Sequence, residues 1–166
     1  MSVRIVRTAP RSEDTRGIGR EVSAFLRDGD TVVLEGELGA GKSELARGIA
    51  RGLGYEGPIP SPSFTILNEY EGGRLPLHHF DWYRLADSEE LYESGLNEFI
   101  GAKGVCVIEW SERAPDALPE SYLRISLLPL EDGTRRITIS AEGGFPVPEA
   151  LFGDGSRKKE QPDPNG

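Results

Sequence analysis

The sequence predicts an α/β fold, with a mixed, mainly parallel central sheet flanked by helices. Three observations carry this reading. A β-branched run, Thr31 to Gly36, leads through a glycine-rich turn into a helical pattern from about Lys42. A nearly continuous apolar run, GVCVIEW from Gly104 to Trp110, reads as a strand covered on both faces. Two pairs of extended segments surround short turns and read as hairpins. The 166 residues fit one domain. A chain of this length can bury a sizeable core although its hydrophobic content is 37%.

The elements follow in order. Ser12 is placed to cap a first helix, in which Ile18, Val22, Phe25 and Leu26 recur at i, i+4, i+7 and i+8 before Gly29. TVVLEG is a short buried strand. The helix from Lys42 has Leu45, Ile49 and Leu53 as its inner face, supported by Ala46 and Ala50, and Gly54 stops it. GPIPSP, Gly57 to Pro62, cannot be helical, because its prolines remove donors and restrict their neighbours. FTILNEY (Phe64 to Tyr70) and LPLHHFDWY (Leu75 to Tyr83) flank EGGR, a hairpin turn. Asp87 or Ser88 caps a short helix around Glu89 to Ser94. After GVCVIEW, YLRISLLPL and TRRITISAE surround EDG as a second hairpin. Residues 1–150 are expected to fold, and 151–166 to form a disordered tail, since GDGSRKKEQPDPNG is polar and rich in Gly and Pro.

Composition excludes several classes. The N-terminus lacks the apolar core of a signal peptide. No stretch approaches the roughly 18 apolar residues of a membrane span. Cys106 is the only cysteine, so no intrachain disulfide can form, which fits a cytoplasmic protein. Asp and Glu number 28 against 19 Lys and Arg, for a net charge of −9. That balance argues against a general nucleic-acid surface, though not against a protein partner that holds RNA. Arg157, Lys158 and Lys159 in the tail read as a solvated charge run.

Gly36-Glu37-Leu38-Gly39-Ala40-Gly41-Lys42-Ser43 matches G-x-x-x-x-G-K-[ST] in full, with the strand and helix flanks that a phosphate-binding P-loop requires. The glycines let successive backbone N–H groups turn inward towards phosphate oxygens, and the following helix adds its N-terminal partial positive charge. The expected ligands are an ATP-type nucleotide and Mg²⁺. Lys42 is expected to reach the β- and γ-phosphates and the Ser43 hydroxyl to ligate the ion. A Cβ at Gly41 is expected to obstruct the loop's approach to phosphate. A P-loop needs an acidic partner, usually at the end of a neighbouring buried strand. Glu109 ends GVCVIEW, and Asp81 in HHFDWY is a second candidate. Their plainer readings are a surface residue at a strand end and a turn residue. His78 and His79 are adjacent on a strand and point to opposite faces, so a structural or partner-facing role is expected rather than a shared metal. Cys106 lies in an apolar run and reads as a buried core thiol.

With those residues in hand, the chain resembles the TsaE family (formerly YjeE), the ATPase of bacterial tRNA threonylcarbamoyladenosine biosynthesis. LEGELGAGKSELARGIARGLG is similar to the family's phosphate-loop segment, and SPSFTILNEYE resembles its S-P-T-F-T-type switch segment. HHFDWYRL resembles its H-F-D-x-Y-R-L block and VCVIEWSER its I-E-W-x-E block. The resemblance covers about residues 12 to 143. Ser43 and Ser63 stand where the family usually has Thr, and Trp82 where it often has Leu; serine keeps the hydroxyl.

The resemblance implies a single-domain α/β P-loop fold that binds Mg-ATP. It further implies action with TsaD and TsaB partners, which carry out threonylcarbamoyl transfer to tRNA, so tRNA is met only through the complex. The family's loop glycines and lysine fall on Gly36, Gly39, Gly41 and Lys42, its magnesium hydroxyl on Ser43, its Asp on Asp81 and its Glu-Trp pair on Glu109 and Trp110. On this basis Gly36 to Ser43 hold nucleotide, Lys42, Asp81 and Glu109 are catalytic, and Ser43, Asp81 and Glu109 serve magnesium. Glu109 is assigned to the ion directly or through water, and Asp81 to the ion or to the attacking water; which does which stays open. Trp110 stacks at the nucleotide or partner surface, or is a core aromatic. Ser63 and Thr65 lie where a γ-phosphate-sensing switch belongs, or in a rigid loop. Thr15 and Arg136 are candidates for the adenine pocket.

Two other functions compete. A small-molecule P-loop kinase usually has an arginine-rich lid, and the acidic region from Leu85 to Ala102 lacks one. A non-hydrolytic binding module would use nucleotide only to order Ser61 to Tyr70. Arg84 and Arg113 have no assigned role and no arginine finger is evident, so weak activity is expected without partners.

Overall fold

The computed structural model of the protein describes residues 3–60, 65–148 and 151. Its strands are β1 (Arg4–Ala9), β2 (Thr31–Glu35), β3 (Leu67–Tyr70), β4 (Leu77–Asp81), β5 (Val105–Glu109), β6 (Tyr122–Pro129) and β7 (Arg135–Glu142). The helices are α1 (Ser12–Ser23), α2 (Lys42–Gly52) and α3 (Ser88–Glu93), with short 3-10 turns at Leu96–Phe99, Ser111–Arg113 and Pro115–Ala117. All strands join one seven-stranded sheet in the order β1-β7-β6-β2-β5-β4-β3. The central β6-β2-β5-β4 pairings are parallel, and both margins are antiparallel. The expected mixed α/β sheet is therefore parallel at its centre, with hairpins at both ends.

Burial follows from what covers each face. β5 is buried at every position, because helical layers lie on both sides. Val105 and Val107 join the larger core beneath α1 and α2, with Ile18, Val22, Leu45 and Ile49. Cys106 and Ile108 face a smaller core with Phe80, Trp82 and Leu91 of α3. β6 instead alternates, with Leu123, Ile125 and Leu127 inward and Tyr122, Arg124 and Ser126 half-buried outward, as one-sided antiparallel sheet should.

α1 and α2 meet through backbone. A Cβ on Gly48 would lie 2.1 Å from the Arg16 carbonyl oxygen, and one on Gly19 would lie 2.4 Å from that of Leu45. No side chain fits between the helices there. Glu44 joins them at the rim, 2.7 Å from Arg16 and also paired with Arg47.

Several local readings change. β1 was not foreseen, because Arg7 occupies an inward position between buried Ile5 and Ala9 and breaks the apolar alternation; its guanidinium reaches out to Glu21 at 2.9 Å. Ser12 is the first residue of α1, not its cap. Arg11 takes that position, its N–H donating to the Asp14 carboxylate at 3.0 Å. Phe25 lies beyond α1, though Leu26 is still buried. The strand expected from Phe64 begins only at Leu67, since Ile66 has φ +67 and interrupts the extended chain. Asp87 rather than Ser88 caps α3, accepting from the Glu90 N–H at 3.1 Å. Leu151, assigned to the tail, is buried in the larger core; residues 152–166, with Arg157, Lys158 and Lys159, lie outside the described residues. No helix among the described residues is long and apolar enough to cross a membrane.

Two expectations follow. Gly48→Ala should cost about 2 kcal/mol or more through overpacking, and lower Tm by several degrees in a thermal melt; an unchanged Tm would show that the helices do not touch there. Cys106 is buried, its thiol donates to the Phe99 carbonyl at 3.1 Å, and burial pushes its pKa up to about 12. The reactive thiolate is thus suppressed throughout the neutral range. Native protein at pH 8 should resist iodoacetamide and denatured protein should react, as read by mass spectrometry.

Candidate functional site

The P-loop spans the gap between β2, which ends at Glu35, and α2, which begins at Lys42. Inside it the Ala40 N–H donates to the Glu37 carbonyl at 3.0 Å, closing a tight turn. Gly36 is required sterically: a Cβ there would lie 2.9 Å from the Leu127 carbonyl oxygen. Gly41 is held by its backbone conformation. The nearest protein atom to a Cβ at that position would be 3.5 Å away, so space is available, but the φ of +107 that starts α2 is strained for any other residue. The first-turn N–H groups of α2 have no intrahelical acceptors and carry its partial positive charge into the loop. Leu38, at the loop tip, is 94% exposed.

The acidic side chains arrive by strand alternation. Val105 and Val107 face α2, so Glu109, two residues on, faces it as well. On β4, His78 and Phe80 face the smaller core, with the His78 ring 4.9 Å from Phe99. His79 and Asp81 therefore lie on α2's side. The parallel register pairs Asp81 directly with Glu109. Lys42 Nζ is 3.9 Å from Glu109 Oε1, and His79 Nε2 is 2.7 Å from Glu109 Oε2. Asp81 accepts from the Tyr83 N–H at 2.9 Å. Lys42, Asp81 and Glu109 are 7%, 8% and 5% exposed, so three ionisable groups are gathered almost out of water. Such burial is unfavourable unless the charges are paired or used.

Trp110 leaves the strand in the left-handed region at φ +60. Its half-buried ring lies 4.4 Å from Lys42 Nζ and 4.9 Å from the Tyr83 ring. It belongs to the site, with one edge against the smaller core.

A cleft of about 510 Å³ opens over the loop. Gly39, Gly41, Lys42 and Ser43 line it, with Asp81, Glu109 and Trp110. The N-terminus of α1 supplies Thr15 as another wall. Arg136 does not take part: it is exposed, and its neighbour Arg135 lines the cleft instead, donating through Nε to the Ala40 carbonyl at 2.9 Å. The signal was present in the sequence, since Arg135 shares its strand face with buried Ile137 and Ile139. Of the two switch candidates, Thr65 is exposed, bonds Asn68 at 2.7 Å and does not line the cleft, while Ser63 lies outside the described residues. Arg113 stacks 5.3 Å from the Tyr83 ring and, like Arg84, is not a cleft residue.

Chemically the cleft joins an anion cradle of backbone N–H groups and one lysine to hard oxygen donors from Ser43, Asp81 and Glu109, the kind that Mg²⁺ accepts. The family model for the threonylcarbamoyl adenosine biosynthesis protein TsaE matches residues 9–137. The tRNA threonylcarbamoyladenosine biosynthesis protein TsaE of Bacillus subtilis is 42% identical over 131 residues, 79% of this chain and 82% of that one. Its counterpart from Treponema pallidum is 46% identical over 129 residues, 78% of this chain and 95% of that one. The crystal structure of YdiB from Bacillus subtilis superposes with a TM-score of 0.75 at 36% identity, covering 86% of this chain and 88% of that one. The matched region contains the loop, Asp81 and Glu109, and the chain belongs to the TsaE family.

Proposed function

We propose that the protein binds Mg-ATP in this cleft and hydrolyses it as the ATPase subunit of tRNA threonylcarbamoyladenosine synthesis, acting with TsaD and TsaB in the bacterial cytoplasm. One observation carries the reading: Lys42 of the phosphate loop lies 3.9 Å from Glu109, which pairs in register with Asp81, at the floor of one cleft.

The loop N–H groups and the start of α2 would receive the phosphates, and Lys42 would turn from Glu109 and Trp110 to the β- and γ-oxygens. Ser43, Glu109 and Asp81 would hold Mg²⁺. The bound ion supplies charge neutralisation on the β- and γ-phosphates. Asp81 keeps one oxygen on the Tyr83 N–H, which fixes its carboxylate and leaves the other oxygen for the ion or the attacking water. Thr15 and Arg135, from α1 and β7, would border the nucleoside. Catalysis here is positioning and charge stabilisation, with little covalent work by the protein.

Arg135 is separated from the Glu109 strand by β6 and β2, so it is not placed to act on the γ-phosphate side. Activity is therefore expected to be weak until a partner completes the site. The net charge of −9 fits a subunit that leaves tRNA to others.

Threonylcarbamoyladenosine formation with TsaD, TsaB and tRNA should fall roughly 100-fold or more in Lys42→Ala and in Glu109→Ala, with folding preserved by circular dichroism. Full activity in Lys42→Ala would overturn the proposal. Product formation by a Glu109→Ala protein that no longer hydrolyses ATP would show a nucleotide-dependent binding module instead. ATP turnover by the isolated protein should be slow and rise when TsaD and TsaB are added. Brisk turnover indifferent to both would count against the partnership.

A further inference from the structure

We propose that His79 is a positioning residue that holds the Glu109 carboxylate away from Lys42 and so keeps the lysine available for phosphate. The inference deepens the nucleotide-binding reading above and rests on it.

The geometry is asymmetric. His79 Nε2 is at full hydrogen-bond distance from Glu109 Oε2, 2.7 Å, whereas Lys42 Nζ stands 3.9 Å from Oε1, beyond hydrogen-bond reach. An ionised carboxylate only accepts, so the bond requires the proton on Nε2. His79 Nδ1 is buried and has no hydrogen-bond partner among the described residues. That suits a bare ring nitrogen, whose unmet acceptor is less costly than a stranded N–H. His79 itself is 2% exposed and lies on the α2-facing side of β4, diagonal to Glu109 across the β4–β5 pair. Its donor therefore approaches from the sheet, and Lys42 from the loop.

Without that donor, a nearly buried carboxylate beside a nearly buried ammonium would close into a direct ion pair at about 2.8 Å. Phosphate could then recruit Lys42 only by stranding Glu109 as an unpaired buried charge. The His79 bond removes this competition by giving Glu109 another partner. The Lys42 ammonium rests instead over the Trp110 ring at 4.4 Å, a contact that is easily exchanged for phosphate. His79 touches neither nucleotide nor reacting atoms in this account; it acts through Glu109.

The test is ADP affinity by calorimetry on the full chain, without magnesium so that metal ligation does not enter. His79→Leu should weaken binding roughly tenfold or more, as loss of an orienting partner commonly does. His79→Gln, whose amide reaches the place of Nε2, should stay within a few-fold of wild type. The double variant His79→Leu/Glu109→Gln should recover most of the loss, because the competing charge is gone; a purely structural role for His79 predicts no such rescue. If His79→Leu does not fold, His79→Asn serves, since its amide falls near Nδ1 and cannot reach Glu109. Wild-type affinity in His79→Leu, a double variant as weak as the single one, or equal affinity in the Gln and Asn variants would overturn the assignment. Wild-type protein that bound no ADP would remove the nucleotide reading and this one together.

Discussion

One rung of the sheet governs the site. Ile125, Leu34, Glu109 and Asp81 lie side by side across β6, β2, β5 and β4. Since side chains alternate, a slip of one residue in either inner pairing would turn Glu109 or Asp81 to the wrong face. One residue beyond this rung β2 ends, and the phosphate loop begins at Gly36. Parallel pairing thus brings the carboxylates and the loop to one end of the sheet, the usual place for ligands in α/β folds. The surrounding apolar positions on β2 and β5, buried on both faces, make that register hard to lose.

The site itself runs against the interest of stability. Lys42, Asp81 and Glu109 are nearly desolvated, and two like charges are neighbours. Each finds a partial remedy: Asp81 a backbone donor, Glu109 the imidazole, Lys42 an aromatic face. None of these remedies saturates the group that it serves. The arrangement is one in which charges remain ready to exchange partners, as the proposed phosphate site requires. The apolar layers on both sides of the sheet tolerate this because they do not depend on it.

The local features were legible in the sequence and the non-local ones were not. The loop, its flanking strand and helix, the buried strand ending in Glu109 and both hairpins depend on residues near one another, and each has a compositional mark. Asp81 was visible as a candidate, but its adjacency to Glu109 is a matter of register between strands far apart in the chain. The same holds for His79, whose partner lies 30 residues away. β1 was hidden because Arg7 interrupts its apolar face, and the edge strand gains its order from β7. Arg135 rather than Arg136 reaches the cleft because it shares strand parity with buried Ile137 and Ile139, a signal the sequence contains. Gly41 carries a further constraint in its φ of +107, a backbone conformation with no compositional mark beyond the glycine itself.

The meeting of α1 and α2 has a consequence for selectivity. The loop opens one helix and Thr15 stands on the other, so the span of the cleft between them is set where Gly19 and Gly48 bring main chain against main chain. Side-chain rotamers can adjust to a guest, but a separation fixed by two backbones cannot. The width of the cleft there is thus held by main-chain packing rather than by adjustable side chains, so a guest of another thickness would have to push two helices apart.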